Sequence, residues 1–188
     1  MIKAVIFDCF GVVYKDNLGE AYAHFGGDIQ KDGELIGKIF FDASKGTIPS
    51  ATDVITKHLG IRKEEWEGYQ AEVSGFNEEL LVYIDELRES YKVSMLSNIG
   101  KKGLVHHMDY SVLERHFDDV VESYKVGFAK PEARVYEIAA DRLGVRLDEC
   151  VFIDDREHYL EGATHVGMQT ILYKDFKSFK NELERALS

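Results

Sequence analysis

The sequence lacks any apolar run long enough to cross a bilayer. Its longest uninterrupted stretches, such as Ala4 to Phe7 and Val151 to Ile153, fall far short of the roughly 20 residues a spanning helix needs. No membrane contact is therefore expected. A signal peptide's long apolar region and small-residue cleavage site are missing too. Met-Ile-Lys-Ala-Val-Ile-Phe-Asp reads instead as a short strand running into an acid, and the expected compartment is cytoplasmic. Two cysteines, Cys9 and Cys150, cannot build a disulfide framework; each lies beside an expected strand end, where a small buried hydrophobe is common. Positive charge is also in short supply. Twenty-three Lys and Arg face 34 Asp and Glu, a net charge of −11, which argues against a nucleic-acid partner because such proteins display a basic, phosphate-neutralising face. An acidic chain can still hold a small phosphate where a metal ion and one lysine supply local positive charge. There is no internal repeat and no low-complexity linker, and nothing in the sequence names a protein partner.

What is present has the balance of an ordinary globular protein, 45% hydrophobic and 30% charged over 188 residues. Ile2 to Phe7 is nearly continuous in apolar residues, the pattern of a strand buried on both faces of a parallel sheet. Similar runs occur at Val93 to Leu96, Val120 to Val121, Val151 to Ile153 and Thr170 to Leu172. Between them lie helical stripes: Leu80, Leu81, Ile84 and Leu87 share one face, as do Val135, Ile138, Ala139 and Leu143. This alternation predicts right-handed βαβ units and an α/β fold with a Rossmann-like parallel sheet. Pro131 suits the first position of a helix, Gly144 suits its end, and Asn77 suits the cap of a helix from Glu78.

About 65 residues separate the first strand from the second, where a crossover needs only a dozen or more. Helices are expected within this stretch at 18–25, 31–44, 51–59 and 63–74, with Ser50 and Asp53 as a capping pair. The domain organisation that follows is a core of residues 1–14 and 79–188 with an inserted helical cap at 15–78. The cap aromatics Tyr22, Phe25, Phe40, Phe41, Trp66 and Tyr69 recur near helical spacing and are expected to pack the cap's own core. Tyr14, at the junction, is the aromatic expected to touch a ligand.

Ligands of open parallel sheets lie beyond the carboxyl ends of the strands. The polar residues there are Asp8, Ser97 with Asn98, and Asp154 with Asp155, and Lys130 can reach the same edge. Taken in order, Val-Ile-Phe-Asp-Cys-Phe-Gly-Val-Val from Val5, Met-Leu-Ser-Asn from Met95, Ala-Lys-Pro-Glu from Ala129 and Val-Phe-Ile-Asp-Asp from Val151 resemble the four signatures of the haloacid dehalogenase-like hydrolase superfamily. Lys-Gly-Thr-Ile-Pro-Ser at 45–50 is similar to the cap turn of its epoxide-hydrolase-phosphatase and glucose-1-phosphatase-like branch.

The resemblance implies a Mg²⁺-dependent phosphatase acting on a small phosphorylated metabolite. It makes Asp8 the nucleophile that forms an aspartyl-phosphate, with Lys130 and Ser97 as the other catalytic residues. Asp8, the Phe10 carbonyl and Asp155 would hold Mg²⁺, with Asp154 as a direct or supporting partner. Asn98, Phe10 and Tyr14 would meet the substrate. Covalent catalysis divides one difficult displacement into two easier ones, and oxygen ligands are what Mg²⁺ prefers.

Two positions depart from the pattern. Phosphatase branches usually carry an acid two residues after the nucleophile, where this chain has Phe10, and losing a general acid costs about 10²–10⁴-fold. A binding or regulatory protein with little or no turnover is therefore the alternative reading. Many relatives also carry Asp or Asn where this chain has Tyr159. An aromatic at position 10 is similar to the dehalogenase branch, but that branch generally lacks the paired acids and carries a halide-binding arginine early in its cap. No arginine precedes Arg62 here, so carbon–halogen hydrolysis ranks third. His106 and His107 read as surface histidines, and His158 as a rim residue able to stand in for the missing acid.

Overall fold

A computed structural model describes residues 1–15 and 17–188. Strand β1 (Ala4–Phe7) opens the chain, and the two-residue β2 (Tyr14–Lys15) leads out of the core. Four helices follow: α1 (Leu18–His24), α2 (Ile29–Ser44), α3 (Ala51–Leu59) and α4 (Lys63–Val73). The return runs through β3 (Gly75–Phe76) into α5 (Glu78–Arg88) and β4 (Lys92–Ser97). The rest alternates: α6 (Tyr110–His116), β5 (Asp119–Glu122), a short α7 (Ser123–Val126), α8 (Ala133–Leu143), β6 (Cys150–Asp154), α9 (Glu157–His165), β7 (Gln169–Leu172) and α10 (Phe176–Leu187).

Five parallel strands form one sheet in the order β5-β4-β1-β6-β7. Every residue of β1 is buried because the strand is central and covered on both faces. Val5 and Phe7 enter one apolar layer with Val93, Met95, Val151 and Ile153. Ala4 and Ile6 enter the opposite layer with Leu96, Cys150 and Phe152. This is the period-two alternation of a strand realised in two separate cores. On α5 the expected face is buried, with Tyr83 added. On α8 the buried stripe is rotated towards Tyr136 and Ala140, and Ile138 and Leu143 are only partly covered.

The four inserted helices enclose a third apolar cluster in which Tyr22, Ile36, Ile55 and Trp66 are buried. Phe25, Phe40 and Tyr69 pack against it. Phe41 departs from expectation: it is 42% exposed because its neighbour Phe40 takes the inward position on α2. Ser50 caps α3 by accepting from Asp53 N at 3.2 Å, while the Asp53 carboxylate pairs with Lys63 at 2.6 Å. Where the chain leaves and re-enters the core, β2 and β3 pair antiparallel, Tyr14 opposite Phe76.

Two expected caps differ. Pro131 is not the first residue of a helix, since α8 starts at Ala133. Residues 129–132 instead form a turn in which Glu132 N donates to Ala129 O at 2.8 Å and Ala129 N to Glu132 Oε1 at 3.1 Å. Asn77 holds the N-cap position of α5 without a side-chain capping bond. Its Nδ2 donates to Val12 O at 3.2 Å and to the Tyr173 hydroxyl at 2.8 Å, so it fastens the junction between insert and sheet. Neither cysteine lies in a disulfide and both are buried; burial pushes the Cys150 thiol up to about 12. No described helix is long and apolar enough to cross a membrane.

Candidate active site

Register brings the first acids together. Phe7 of β1 is level with Ile153 of β6, so Asp8 and Asp154, one residue further on, leave adjacent strands side by side. Both follow the alternation onto the layer of Ile6 and Phe152, which is where Lys130 arrives. Its Nζ bonds Asp8 Oδ1 and, at 2.7 Å, Asp154 Oδ2, and it sits 4.9 Å from the Tyr159 ring centroid and 5.3 Å from that of Phe152. Burial alone would push the Lys130 ammonium down, but Asp154 and Asp8 outweigh it and hold the charge well above the usual lysine range. The other Asp154 oxygen accepts from Arg156 N at 2.9 Å.

Asp155 completes the acid group. One carboxylate oxygen from each of Asp8, Asp154 and Asp155 lies within 4.8 Å of the others. Three carboxylates then face one ammonium, and their protonation behaviour registers the surplus. Burial, reinforced by Asp154 and Asp155 against the opposing pull of Lys130, pushes Asp8 up to about 7. Burial and then the charge of Asp154 push Asp155 up to about 6. Bringing a hard divalent cation to such an all-oxygen donor set relieves both effects. Gly11 makes room for Asp155. At φ +94° it adopts a backbone conformation that L side chains rarely enter, and a Cβ there would stand 2.5 Å from Asp155 Oδ2.

The loop after β4 supports the lysine rather than facing outward. Asn98 Nδ2 donates to Lys130 O at 2.9 Å, and Lys130 N donates to Asn98 Oδ1 at 2.8 Å. This reciprocal clamp uses the Asn98 side chain and leaves its backbone amide, the group expected to meet the substrate, out of the bonding to Lys130. Ser97 is wholly buried, and its Oγ has no hydrogen-bond partner among the described residues. A buried hydroxyl left unpaired costs about 1–3 kcal/mol, so a ligand oxygen reaching it has something to gain.

A cavity of about 400 Å³ includes Asp8, Lys130, Asn98, Phe10 and Tyr14 in its wall. The inserted helices supply Leu18, Phe40, Ile55 and Trp66 opposite. Ser97, Asp154 and Asp155 form no part of that wall. Phe10 stands edge-on to Tyr14 at 6.0 Å and to His107 at 5.7 Å. His107 is exposed, as expected of a surface residue, and also lines the cavity; the side chain of His106 lies outside the described residues. His158 is exposed, tilted against Tyr159 at 3.9 Å, and is not among the cavity residues. Arg156 and Lys102 also line the cavity and were not singled out from the sequence. For Arg156 a signal existed, because it follows two strand-end acids directly.

The structure is an α/β fold with three carboxylates and one buried lysine gathered at the ends of its strands. The model of the haloacid dehalogenase-like hydrolases matches residues 2–167, and the chain belongs to that family. Rat bifunctional epoxide hydrolase 2 is 42% identical over 73 residues, 39% of this chain and 13% of the rat protein. A phosphatase of Mycobacterium tuberculosis is 29% identical over 124 residues, 64% of this chain and 56% of the mycobacterial one. The chain thus spans a small part of the first relative and about half of the second. Among solved structures, a point mutant of a HAD family enzyme from Bacteroides thetaiotaomicron, complexed with magnesium and inorganic phosphate, superposes with a TM-score of 0.70. That match is 25% identical and covers 93% of this chain and 95% of the other.

Proposed function

We propose that this hydrolase is a Mg²⁺-dependent phosphatase acting on a small phosphorylated metabolite, with Asp8 as nucleophile. The observation that carries the reading is the meeting of Asp8, Asp154 and Asp155 with Lys130 at the edge of a 400 Å³ cavity. The magnesium and phosphate bound by the Bacteroides enzyme and the phosphatase activity named for the mycobacterial relative agree with it.

A carboxylate approaching a phosphate dianion meets repulsion of about 4 kcal/mol for each unit-charge pair at 4 Å in a partly screened site. Lys130 offsets part of this, and its two carboxylate contacts fix its position. Bound Mg²⁺ supplies a Lewis acid that draws charge from the phosphoryl oxygens. Asp8, Asp155 and the Phe10 carbonyl would hold that ion. Asp154, with one oxygen on Lys130 and the other on the Arg156 amide, serves as a support. Asp8 would attack phosphorus as the bond to the leaving oxygen breaks, that oxygen taking its proton from water because Phe10 offers none; a second water would then attack the aspartyl-phosphate, releasing phosphate and restoring the Asp8 carboxylate. Ser97 and the Asn98 amide contact the transferring oxygens, and Tyr14 and Phe10 contact the organic part. Residues 15–78 act as a cap that excludes water and selects the substrate.

A catalytically weak binding protein is the second reading, favoured by Phe10, whose ring occupies the position of the customary proton donor. Hydrolysis of an aryl phosphate with Mg²⁺, with chelator and by Asp8→Asn separates the two. Mg²⁺-dependent turnover that disappears in the variant supports the phosphatase, whereas phosphate binding without turnover supports the binding protein.

A further inference from the structure

We propose that Arg156 is a second cation on the phosphoryl group, acting beside Lys130; the inference rests on the phosphatase reading above. Arg156 occupies the N-cap position of α9, and its amide bond to Asp154 Oδ1 ties its backbone to the carboxylate that grips Lys130. Its side chain, 44% exposed, lines the cavity together with Asp8 and Lys130. Its guanidinium carbon lies 5.8 Å from the Tyr159 ring centroid, the ring that Lys130 Nζ approaches to 4.9 Å. One aromatic ring therefore holds both cations to the same wall.

The guanidinium has donors to spare. Its contact with Asp155 Oδ1 is 4.0 Å long, beyond hydrogen-bond reach, and among the described residues no hydrogen bond from its side chain is present. A guanidinium carries five N–H donors in a planar fork that matches two phosphate oxygens. Charge balance indicates the same use. Three carboxylates are matched by Lys130 and one divalent ion, so an arriving dianion finds no surplus positive charge at the strand ends without Arg156. Lys102 also lines the cavity, but its charge acts on Asp53 at the start of α3. Arg156 so placed favours dianionic phosphomonoesters over monoanionic diesters.

The test is calorimetric titration of inorganic phosphate into the Mg²⁺-loaded protein, comparing wild type, Arg156→Ala and Arg156→Lys, with Mg²⁺ affinity measured in each. Arg156→Ala should bind phosphate roughly 10–100-fold more weakly, the scale of one charge-assisted contact, and Arg156→Lys should fall between because it keeps the charge and loses the fork. Mg²⁺ affinity should stay within about twofold. Phosphate binding equal to wild type in Arg156→Ala overturns the proposal. So does a parallel loss of Mg²⁺ and phosphate in both variants, which would assign Arg156 to the ion site. Failure of the underlying reading looks different: the wild type itself then shows no Mg²⁺-dependent hydrolysis that Asp8→Asn abolishes, whatever its affinity for phosphate.

Discussion

Gly11→Ala tests the ion site without replacing any proposed ligand side chain. Two costs can be worked out. The first is local: an L residue in this left-handed region loses about 1–2 kcal/mol, which for a chain of this length lowers the melting temperature by roughly 2–4 °C per kcal/mol. The second is specific. The new methyl would stand 2.5 Å from Asp155 Oδ2 and 2.8 Å from its Cγ, against an ordinary carbon contact of about 3.5 Å or more. The Asp155 carboxylate must therefore withdraw by about 1 Å, and Mg²⁺, which holds its ligands at roughly 2.0–2.1 Å with little tolerance, does not follow. Mg²⁺ affinity is expected to fall at least 10–100-fold, the range seen when a ligand's support is disturbed. Scanning calorimetry separates the modest loss of stability from the loss of binding measured by titration. A variant that melts a few degrees lower yet binds Mg²⁺ as tightly as wild type would refute Asp155 as a ligand.

Three further outcomes follow from the same geometry. Asn98→Ala removes both side-chain bonds to the Lys130 backbone and should cost about 1–3 kcal/mol of stability with a larger proportional loss of phosphatase activity. Denaturation and rate measurements check this, and activity unchanged in a destabilised protein would separate the clamp from the chemistry. Phe10→Asp restores a proton donor and should speed hydrolysis of alkyl phosphates more than that of activated aryl phosphates; equal effects on both would count against the missing-acid account. Without divalent ions, Asp8 and Asp155 bind protons more tightly folded than unfolded, so stability should fall as pH rises from about 4 through about 7. Mg²⁺ should flatten that slope in urea titrations, and a pH-independent apo stability would contradict the surplus of negative charge.

The sheet was legible because burial on both faces leaves an unmistakable mark: Ala4–Phe7 and Cys150–Asp154 have no exposed side to hide the pattern. The inserted helices were legible from their amphipathic spacing and from Ser50. The β2–β3 ribbon was not, since two-residue strands have no period to detect. Asn77 was read as a cap, and the clamp of the Asn98 side chain on Lys130 was not foreseen, because local sequence cannot show the distant carbonyls of Val12 and Lys130 that these side-chain amides meet. Pro131 was placed inside a helix by local preference, while the turn bonds of Glu132 delay that helix by two residues. Arg156 and His107 gain significance only from the cavity, whose shape depends on how the insert sits over the strand ends.

Glu132 Oε1 serves two masters. It accepts from Ala129 N, steadying the turn that presents Lys130, and from Lys45 Nζ at 2.6 Å, at the far end of α2. Both partners of the ion pair are partly exposed, at 28% and 38%, so the fastening is worth under about 1 kcal/mol and thermal motion can undo it readily. Any displacement of α2 from this turn would have to release the carboxylate from Lys45. One carboxylate thus fastens the end of α2 and steadies the turn that presents Lys130, so the two parts of the chain share a single anchoring atom.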